Sequence, residues 1–578
     1  MANMYTVERN AQILLYLMKA HGIKKIVASP GTTNVAFIAS AQIDDFFEIY
    51  SAPDERSAAY IACGIAIESG RPVALSCTGA TASRNYYPGL TEAFYSKLPI
   101  LAITSSRRSS RIGHNFDQVT DRTQLANDIA KMSVQLPIIF DSDGEWACEI
   151  AVNKAILELQ HNGNGPVHIN LETEYNNDFT VKTLPSARVI HRYSVMDNVP
   201  AIKYNKVAIV VGYHLPMNAE LTKAIDKFCE VYNGIVICDH VSNYHGKYGI
   251  FANLSLSQRY YTSIIKNTEL VIHIGEISSS DFSVGAKEVW RVSEDGLIKD
   301  TYFKLTNVFE TSEFNFFRYY SAKSNNKTID FYKSCIEEER IINNLIPELP
   351  FSNAWTAKYL TKNLPQNVEI HLGIRNSLRC WNFFSLDKSL DVFSNTGGFG
   401  IDGSLSTVLG ASLCNKNKIY YCILGDLAFF YDINALGNRH FGNNVRILLV
   451  NNGTGMEMRF STFYASMINA EKDSFISASG HYGKRDNSLA RNVANALGIK
   501  YLSATNKDEF ISNVKEFIAP DIKQSIIFEV FTDEKLEDES FNTLCSLAKD
   551  TKGATKEAIK SIIGDSNIKK IKKILSSR

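Results

Sequence analysis

The chain has 578 residues, 45% of them hydrophobic and 21% charged, and its 61 basic and 61 acidic side chains cancel. That is the composition of a globular protein with ample core, at a length suggesting about three or four domains. Zero net charge and a pI near 7.2 give no electrostatic footing for nucleic acid, and no apolar run approaches the ~18 residues of a membrane span. The ten cysteines are scattered without a Cys-x-x-Cys pair, which argues for reduced thiols and against zinc. Met1-Ala2-Asn3-Met4-Tyr5 has no basic region followed by an apolar one, so no signal peptide and a cytoplasmic location are expected.

In chain order, residues 6–20 carry helical apolar spacing, and Lys25-Ile26-Val27-Ala28 reads as a buried strand ending at Ser29-Pro30-Gly31-Thr32. A helix and strand lead to Asp54-Glu55-Arg56, followed by a small-residue helix from Ala58 to Ala66. Val73-Ala74-Leu75-Ser76-Cys77 ends in Thr78-Gly79, and Leu98 to Thr104 and Val167 to Leu171 are further strands. Strands alternating with helices predict a parallel α/β domain over 1–185. Strands at 206–212, 234–239 and 270–275 predict a second α/β unit over 186–345. It lacks Gly-x-Gly-x-x-Gly and reads as structural. The polar stretch Ser321 to Thr328 reads as a loop. A third α/β unit over 346–540 holds Glu369 to Gly373 and the glycine-dense turn Ser394-Asn395-Thr396-Gly397-Gly398-Phe399-Gly400-Ile401-Asp402-Gly403, where backbone amides can approach a phosphate. Residues 541–578 form a Lys- and Ser-rich tail with amphipathic spacing. It suits a partner- or membrane-surface helix, or a terminal helix packed on its own or a neighbouring subunit, and the second reading is favoured.

The chain is organised around the stretch from Ile423 to Phe460. An apolar strand ends in Gly425-Asp426-Leu427, a helix-like run continues through Ala435 and Leu436, and a second apolar strand ends in Asn451-Asn452-Gly453. Twenty-four residues lie between Asp426 and Asn451, the length of one right-handed βαβ crossover. Both strand ends then open on one sheet edge, where a carboxylate and an amide oxygen make a hard-oxygen site suited to Mg²⁺. Either half alone would be an ordinary strand end or turn.

Together they resemble the diphosphate-binding motif of thiamine diphosphate (ThDP) enzymes. The resemblance implies that Asp426 and Asn452 bind the metal by side chain and Thr454 by its carbonyl. Asp54-Glu55-Arg56, Thr78-Gly79 and Tyr87-Pro88-Gly89-Leu90 resemble the family's pyrimidine-binding domain. Alone, Glu55 reads as a helix N-terminal charge. In the family, a glutamate at this place hydrogen-bonds the cofactor's pyrimidine ring, and a buried carboxylate of raised pKa can share that proton. The implied cofactor contacts are Glu55, Thr78, Gly79, Ser394, Asn395, Gly400, Ile401, Gly425, Asp426, Leu427, Asn452, Thr454, Gly455 and Met456. The implied fold is three doubly wound parallel-sheet domains (pyrimidine-binding, central and diphosphate-binding). The implied assembly is a homodimer or homotetramer with interfacial sites.

Leu427 after Gly-Asp, Ser394-Asn395 before Gly400-Ile401-Asp402-Gly403, and Ser29-Pro30-Gly31 narrow the resemblance to the menaquinone-pathway synthase branch. That branch decarboxylates 2-oxoglutarate and adds the succinyl unit to isochorismate. By this resemblance Ile401 is the wedge that bends the cofactor and Gln118 lies near the reacting carbon. The departures fall on substrate contacts. Thr32-Thr33 stands where the branch has Ser-Arg, Thr396 where it has Arg, and Ser278-Ser279-Ser280-Asp281-Phe282 where it has a Lys-Arg pair. Losing those cations costs roughly several kcal/mol of carboxylate binding, so a different substrate pair is expected. Arg107, Arg375 and Arg379 remain as candidates to hold a 2-oxo acid carboxylate. The expected activity is a decarboxylating carboligase; the alternatives are a simple 2-oxo acid decarboxylase or a non-catalytic binding protein of the same fold. Residues 455–487, polar and aromatic, read as a lid beside the site or a surface loop.

Overall fold

A computed structural model of the chain describes residues 4–189, 199–280, 284–297, 299, 301–302, 304–323, 328–463, 475–482 and 486–550. Part of the expected lid (464–474 and 483–485), Asp281 and Phe282, and the tail from 551 onward lie outside the described residues.

Three six-stranded sheets, parallel throughout, form the frame. The first comprises β1 (Lys25–Ala28), β2 (Glu48–Ser51), β3 (Val73–Thr78), β4 (Ile100–Ser106), β5 (Met132–Leu136) and β6 (Val167–Glu172), in the order β2-β1-β3-β4-β6-β5. The second comprises β7 (Val207–Val211), β8 (Gly234–Cys238), β9 (Gly249–Phe251), β10 (Leu270–Ile274), β11 (Glu288–Val292) and β12 (Leu305–Phe309), in the order β12-β11-β10-β7-β8-β9. The third comprises β13 (Val368–Leu372), β14 (Asp391–Phe393), β15 (Ile419–Gly425), β16 (Val445–Asn451), β17 (Lys500–Ala504) and β18 (Ile526–Phe531), in the order β14-β13-β15-β16-β18-β17. The outer sheets share one topology, and the middle one is wound differently. The central strands are near-continuous Val, Ile and Leu because helices cover both faces. Strand order reverses between β1 and β3 and between β13 and β15, so crevices open at the carboxyl ends there.

The first and third domains are joined by two helices, Glu55–Ser69 and Ser404–Ser412, that cross at backbone contact. A Cβ on Gly64 would sit 1.8 Å from the Thr407 carbonyl oxygen, and one on Gly410 would sit 2.0 Å from that of Ile61. Small residues at the crossing let the helices approach this closely. Gly64→Ala is therefore expected to destabilise the fold by about 3 kcal/mol through overpacking against backbone that cannot yield, read from denaturant midpoints. Among the described residues no helix is long and apolar enough to cross a membrane, and all ten cysteines are free.

The helix expected to run through Leu436 is broken. An α-helix spans Asp426–Tyr431 and a 3-10 turn spans Ile433–Gly437. Between them Asp432 turns inward, fully buried, and accepts from the Ser406 amide at 2.7 Å and hydroxyl at 2.8 Å. Burial raises its carboxyl to about 7.

Candidate active site

β15 and β16 are neighbours in register, Gly425 beside Val450. Asp426 and the Asn451-Asn452 pair therefore leave the sheet side by side. Gly425 is extended and Asp426 opens a helix, so the carboxylate stands at the sheet's carboxyl edge. Asp426 is buried, and its Oδ2 has no hydrogen-bond partner among the described residues. Burial raises its carboxyl to about 7, against the backbone amides of Asp426, Leu427 and Gly453. A buried carboxylate oxygen without a donor is costly unless a cation completes it. Asn451 is occupied, its amide donating to Glu529 at 2.7 Å. The second asparagine, Asn452, is half-buried, and its Oδ1 accepts from the Thr454 amide at 3.3 Å. Gly453 takes φ +71°, the left-handed region, which turns the chain at this point. The Gly455 amide and Thr454 hydroxyl both donate to the Ser477 carbonyl, at 2.6 and 3.3 Å, holding this loop against the segment beyond it. Leu427 lies against the loop, its Cδ1 3.5 Å from where a Cβ on Gly455 would be. Met456 is buried in the core shared by the two outer domains.

Beyond the end of β14, the edge strand separated from β15 by β13, Ser394 and Thr396 are buried with hydroxyls unpartnered among the described residues. Asn395 donates to Thr407 Oγ1 at 3.1 Å. Ile401 packs between two core clusters, and a Cβ on Gly400 would meet Asp402 Oδ1 at 2.1 Å. Three orphaned buried oxygens at one edge, from Asp426, Ser394 and Thr396, fit a cation with a bound cofactor. Among the described residues no three His, Cys, Asp or Glu cluster as metal ligands; this donor set instead has one carboxylate, one amide and one carbonyl, suited to Mg²⁺ retaining waters and phosphate oxygens.

In the glycine-dense turn the expectation is corrected. The amides of Gly397 and Gly398 face no open phosphate cradle. They donate to Glu92 of the first domain, at 3.2 Å to Oε1 and 2.8 Å to Oε2. Ser96 adds a third bond at 2.5 Å. Glu92 is wholly buried, with its carboxyl raised to about 7 by burial, and it staples the two outer domains together.

Glu55 opens the Glu55–Ser69 helix at the end of β2. Asp54 caps that helix, accepting from the Arg56 and Ser57 amides at 2.9 and 3.3 Å, so Glu55 is spared for other work. Its Oε2 accepts from Asn85 at 3.0 Å. Glu55 is half-exposed in the single chain, so the expected burial is absent within one copy. Thr78 ends β3, its hydroxyl against that of Thr33, and the Gly79 amide donates to Ser105 at 2.7 Å. A Cβ on Gly79 would sit 3.0 Å from the Arg122 guanidinium carbon, so a larger residue would have to displace that side chain. Thr32 and Gln118 are exposed, Gln118 with φ +56°.

The candidate substrate cations are corrected in part. Arg107 is tied to Asp117 at 2.9 Å and lies on Tyr175. Arg379 is clamped by both oxygens of Glu457, at 2.5 and 3.1 Å. Neither is a free guanidinium. Ser278 and Ser280 do not replace the lost cations, since both donate to buried Asp239. Asn85, Glu92 and Glu457 were not singled out from sequence. Each acts through a partner distant in the chain, which spacing does not reveal.

Residues 9–125 match the model of the thiamine pyrophosphate enzyme N-terminal TPP binding domain, and residues 376–530 match that of the C-terminal TPP binding domain. The chain is similar to 2-succinyl-5-enolpyruvyl-6-hydroxy-3-cyclohexene-1-carboxylate synthase of Phocaeicola vulgatus, 33% identical over 92% of this chain and 97% of that protein. The Bacteroides fragilis synthase is 32% identical over 92% and 97%, and that of Flavobacterium psychrophilum 27% over 91% and 96%. The chain belongs to the thiamine pyrophosphate enzyme family.

Proposed function

We propose that this chain decarboxylates a 2-oxo acid and transfers the remaining acyl unit to an acceptor, with ThDP and Mg²⁺ as cofactors. The observation that carries the reading is the orphaned, buried Oδ2 of Asp426 beside Asn452 and Thr454 at a sheet edge. Asp426 and Asn452 by side chain and Thr454 by carbonyl would hold the cation, and Ser394 would meet the cofactor. Bound there, ThDP supplies the carbon nucleophile and the electron sink for CO₂ loss. Glu55 holds and returns a proton on the pyrimidine ring, and Asn85 orients its Oε2. Ile401 and Met456 exclude water from the reacting end. Transfer is favoured over simple decarboxylation because the relatives are synthases. Thr32, Thr33 and Thr396, with Arg107 and Arg379 already paired, favour substrates other than those of the synthase. A homodimer or homotetramer completes the site. Large apolar side chains, Val35 at 50% and Phe116 at 45% exposure, stand exposed near Thr32 and Gln118, as does Phe475 at 94% near the Ser477 carbonyl, where a second copy would cover them.

Product analysis by carbon NMR, with labelled 2-oxo acids and a panel of aldehyde and enone acceptors, tests this. A new carbon–carbon bond establishes transfer. Aldehyde alone makes the chain a simple decarboxylase, and bound ThDP with no product revives the non-catalytic reading. The two asparagines are expected to separate. Asn451→Ala leaves Glu529 short of a donor and costs about 1–3 kcal/mol of stability, whereas Asn452→Ala mainly abolishes stabilisation by Mg²⁺ and ThDP, read from melting curves with and without cofactor.

A further inference from the structure

The loops that lead into β15 and β16 enclose a cavity of about 310 Å³ at the amino edge of the third sheet, the edge opposite Asp426. Leu413 and Ile522 give it an apolar side, and Lys416, His440 and Asn443 a polar one. Its walls are fixed by hydrogen bonds. The amide of Asn444, 3% exposed, holds the Ser412, Asn415 and Lys418 carbonyls at 3.2, 3.2 and 3.1 Å. The Ser525 hydroxyl holds that of Gly442 at 2.8 Å. The charge around the cavity is one-sided. Among the described residues no carboxylate lines it, and neither Lys416 nor the neighbouring Arg439 forms an ion pair. Burial and then the Arg439 and Lys416 charges lower the pKa of His440, so its ring is neutral. Nε2 of that ring accepts from the Ser51 amide at 3.0 Å and from Arg439 Nε at 3.3 Å. The ring proton therefore sits on Nδ1, and nothing among the described residues accepts it. The Tyr50 ring, edge-on at 5.8 Å between centroids, fixes the imidazole plane.

Two uncompensated cations match the charge of about −1.5 to −2 on a phosphate monoester near pH 7. The volume and the apolar side leave room for an organic group attached to it. We propose that this cavity is a binding site for a small phosphate monoester. Lys416 and the His440 Nδ1–H take the phosphate, and Leu413 with Ile522 takes the organic part. The site lies apart from the cofactor contacts and does not depend on the reaction proposed above. It does touch the chain leading to Glu55. Ser51, whose amide His440 holds, lies four positions before Glu55. Asn438 donates to the Ser51 carbonyl at 3.3 Å, and Asn434 donates to Asp54. An anion that accepts from Nδ1–H makes Nε2 a stronger acceptor, so occupancy tightens the Ser51 bond.

Calorimetry on the full chain saturated with ThDP and Mg²⁺ tests this, with phenyl phosphate, inorganic phosphate and benzyl alcohol as probes. Phenyl phosphate is expected to bind at least about tenfold tighter than inorganic phosphate, and benzyl alcohol not measurably, because both sides of the cavity are used. Lys416→Met, at an exposed position, is expected to weaken phenyl phosphate about tenfold. Exchange of the Ser51 amide hydrogen is expected to slow about threefold in wild type at saturating phenyl phosphate. No binding of phenyl phosphate, binding unchanged in Lys416→Met, or inorganic phosphate bound as tightly as the ester overturns the proposal. So does an affinity that falls as ThDP is raised, which would put the probe in the cofactor site. A Ser51 amide that exchanges equally fast with the probe bound would remove His440 from the site and overturn it as well.

Discussion

Glu55→Gln is expected to lower kcat by about 10²- to 10⁴-fold, the usual contribution of a positioned proton carrier, while ThDP binding changes less than about tenfold. The asymmetry comes from the local structure. Asp54 already satisfies the helix amides, so Glu55 is not a capping group whose loss frays the helix. Glutamine preserves the shape and the partner at Asn85 but can neither hold nor return a proton. Asn85→Ala, which leaves the carboxylate but loosens it, is expected to cost about tenfold. Steady-state kinetics beside cofactor titration checks both, and an equal loss of ThDP binding in Glu55→Gln would make the residue a binding group instead.

Asp426→Asn is expected to act in opposite directions on the free and the loaded protein. In the free protein, burial raises the carboxyl from the ordinary 3.8 to about 7. The folded state therefore binds the proton more tightly than the unfolded one. Favourable at low pH, this term is lost as pH rises from about 4 to about 7. Above pH 7 the ionised, buried carboxylate destabilises the free fold by up to roughly 4 kcal/mol. Removing it makes the free Asn variant more stable than wild type at pH 8, the two converging near pH 4. With Mg²⁺ and ThDP at about 100 times Kd, wild type gains about 2.7 kcal/mol, and the variant gains almost nothing. Cation binding needs the ionised carboxylate, so wild-type affinity falls about tenfold per pH unit below about 7. Denaturation at pH 4 and pH 8, with and without cofactor, reads all three effects. Equal cofactor stabilisation of both proteins would remove Asp426 from the metal site.

The fold was legible because its signal is periodic. Buried parallel strands are short apolar runs ending in Gly, Asp, Asn or Ser, and β15 and β16 sit where Ile423–Gly425 and Val445–Asn451 suggested. The crossover spacing also implied that Asp426 and Asn452 would share an edge, because two adjacent parallel strands leave no other arrangement. What the sequence concealed was pairing across the chain. Arg379 and Glu457 are 78 positions apart, and Glu92 lies more than 300 from the glycine amides it binds. Arginines that look free in a string are neutralised in space, and a glycine-rich turn that looks ready for phosphate is occupied by a carboxylate. The break at Asp432 was hidden for the same reason: Ser406, its partner, lies on another helix.

The most direct measurement is CO₂ release from a panel of 2-oxo acids by the full chain, with ThDP and Mg²⁺ together, with each omitted, and with Glu55→Gln. Release from at least one acid that requires both cofactors and disappears in the variant is the expected result. Cofactor binding without release from any acid, or release indifferent to Glu55, would contradict the assignment of this site to 2-oxo acid chemistry.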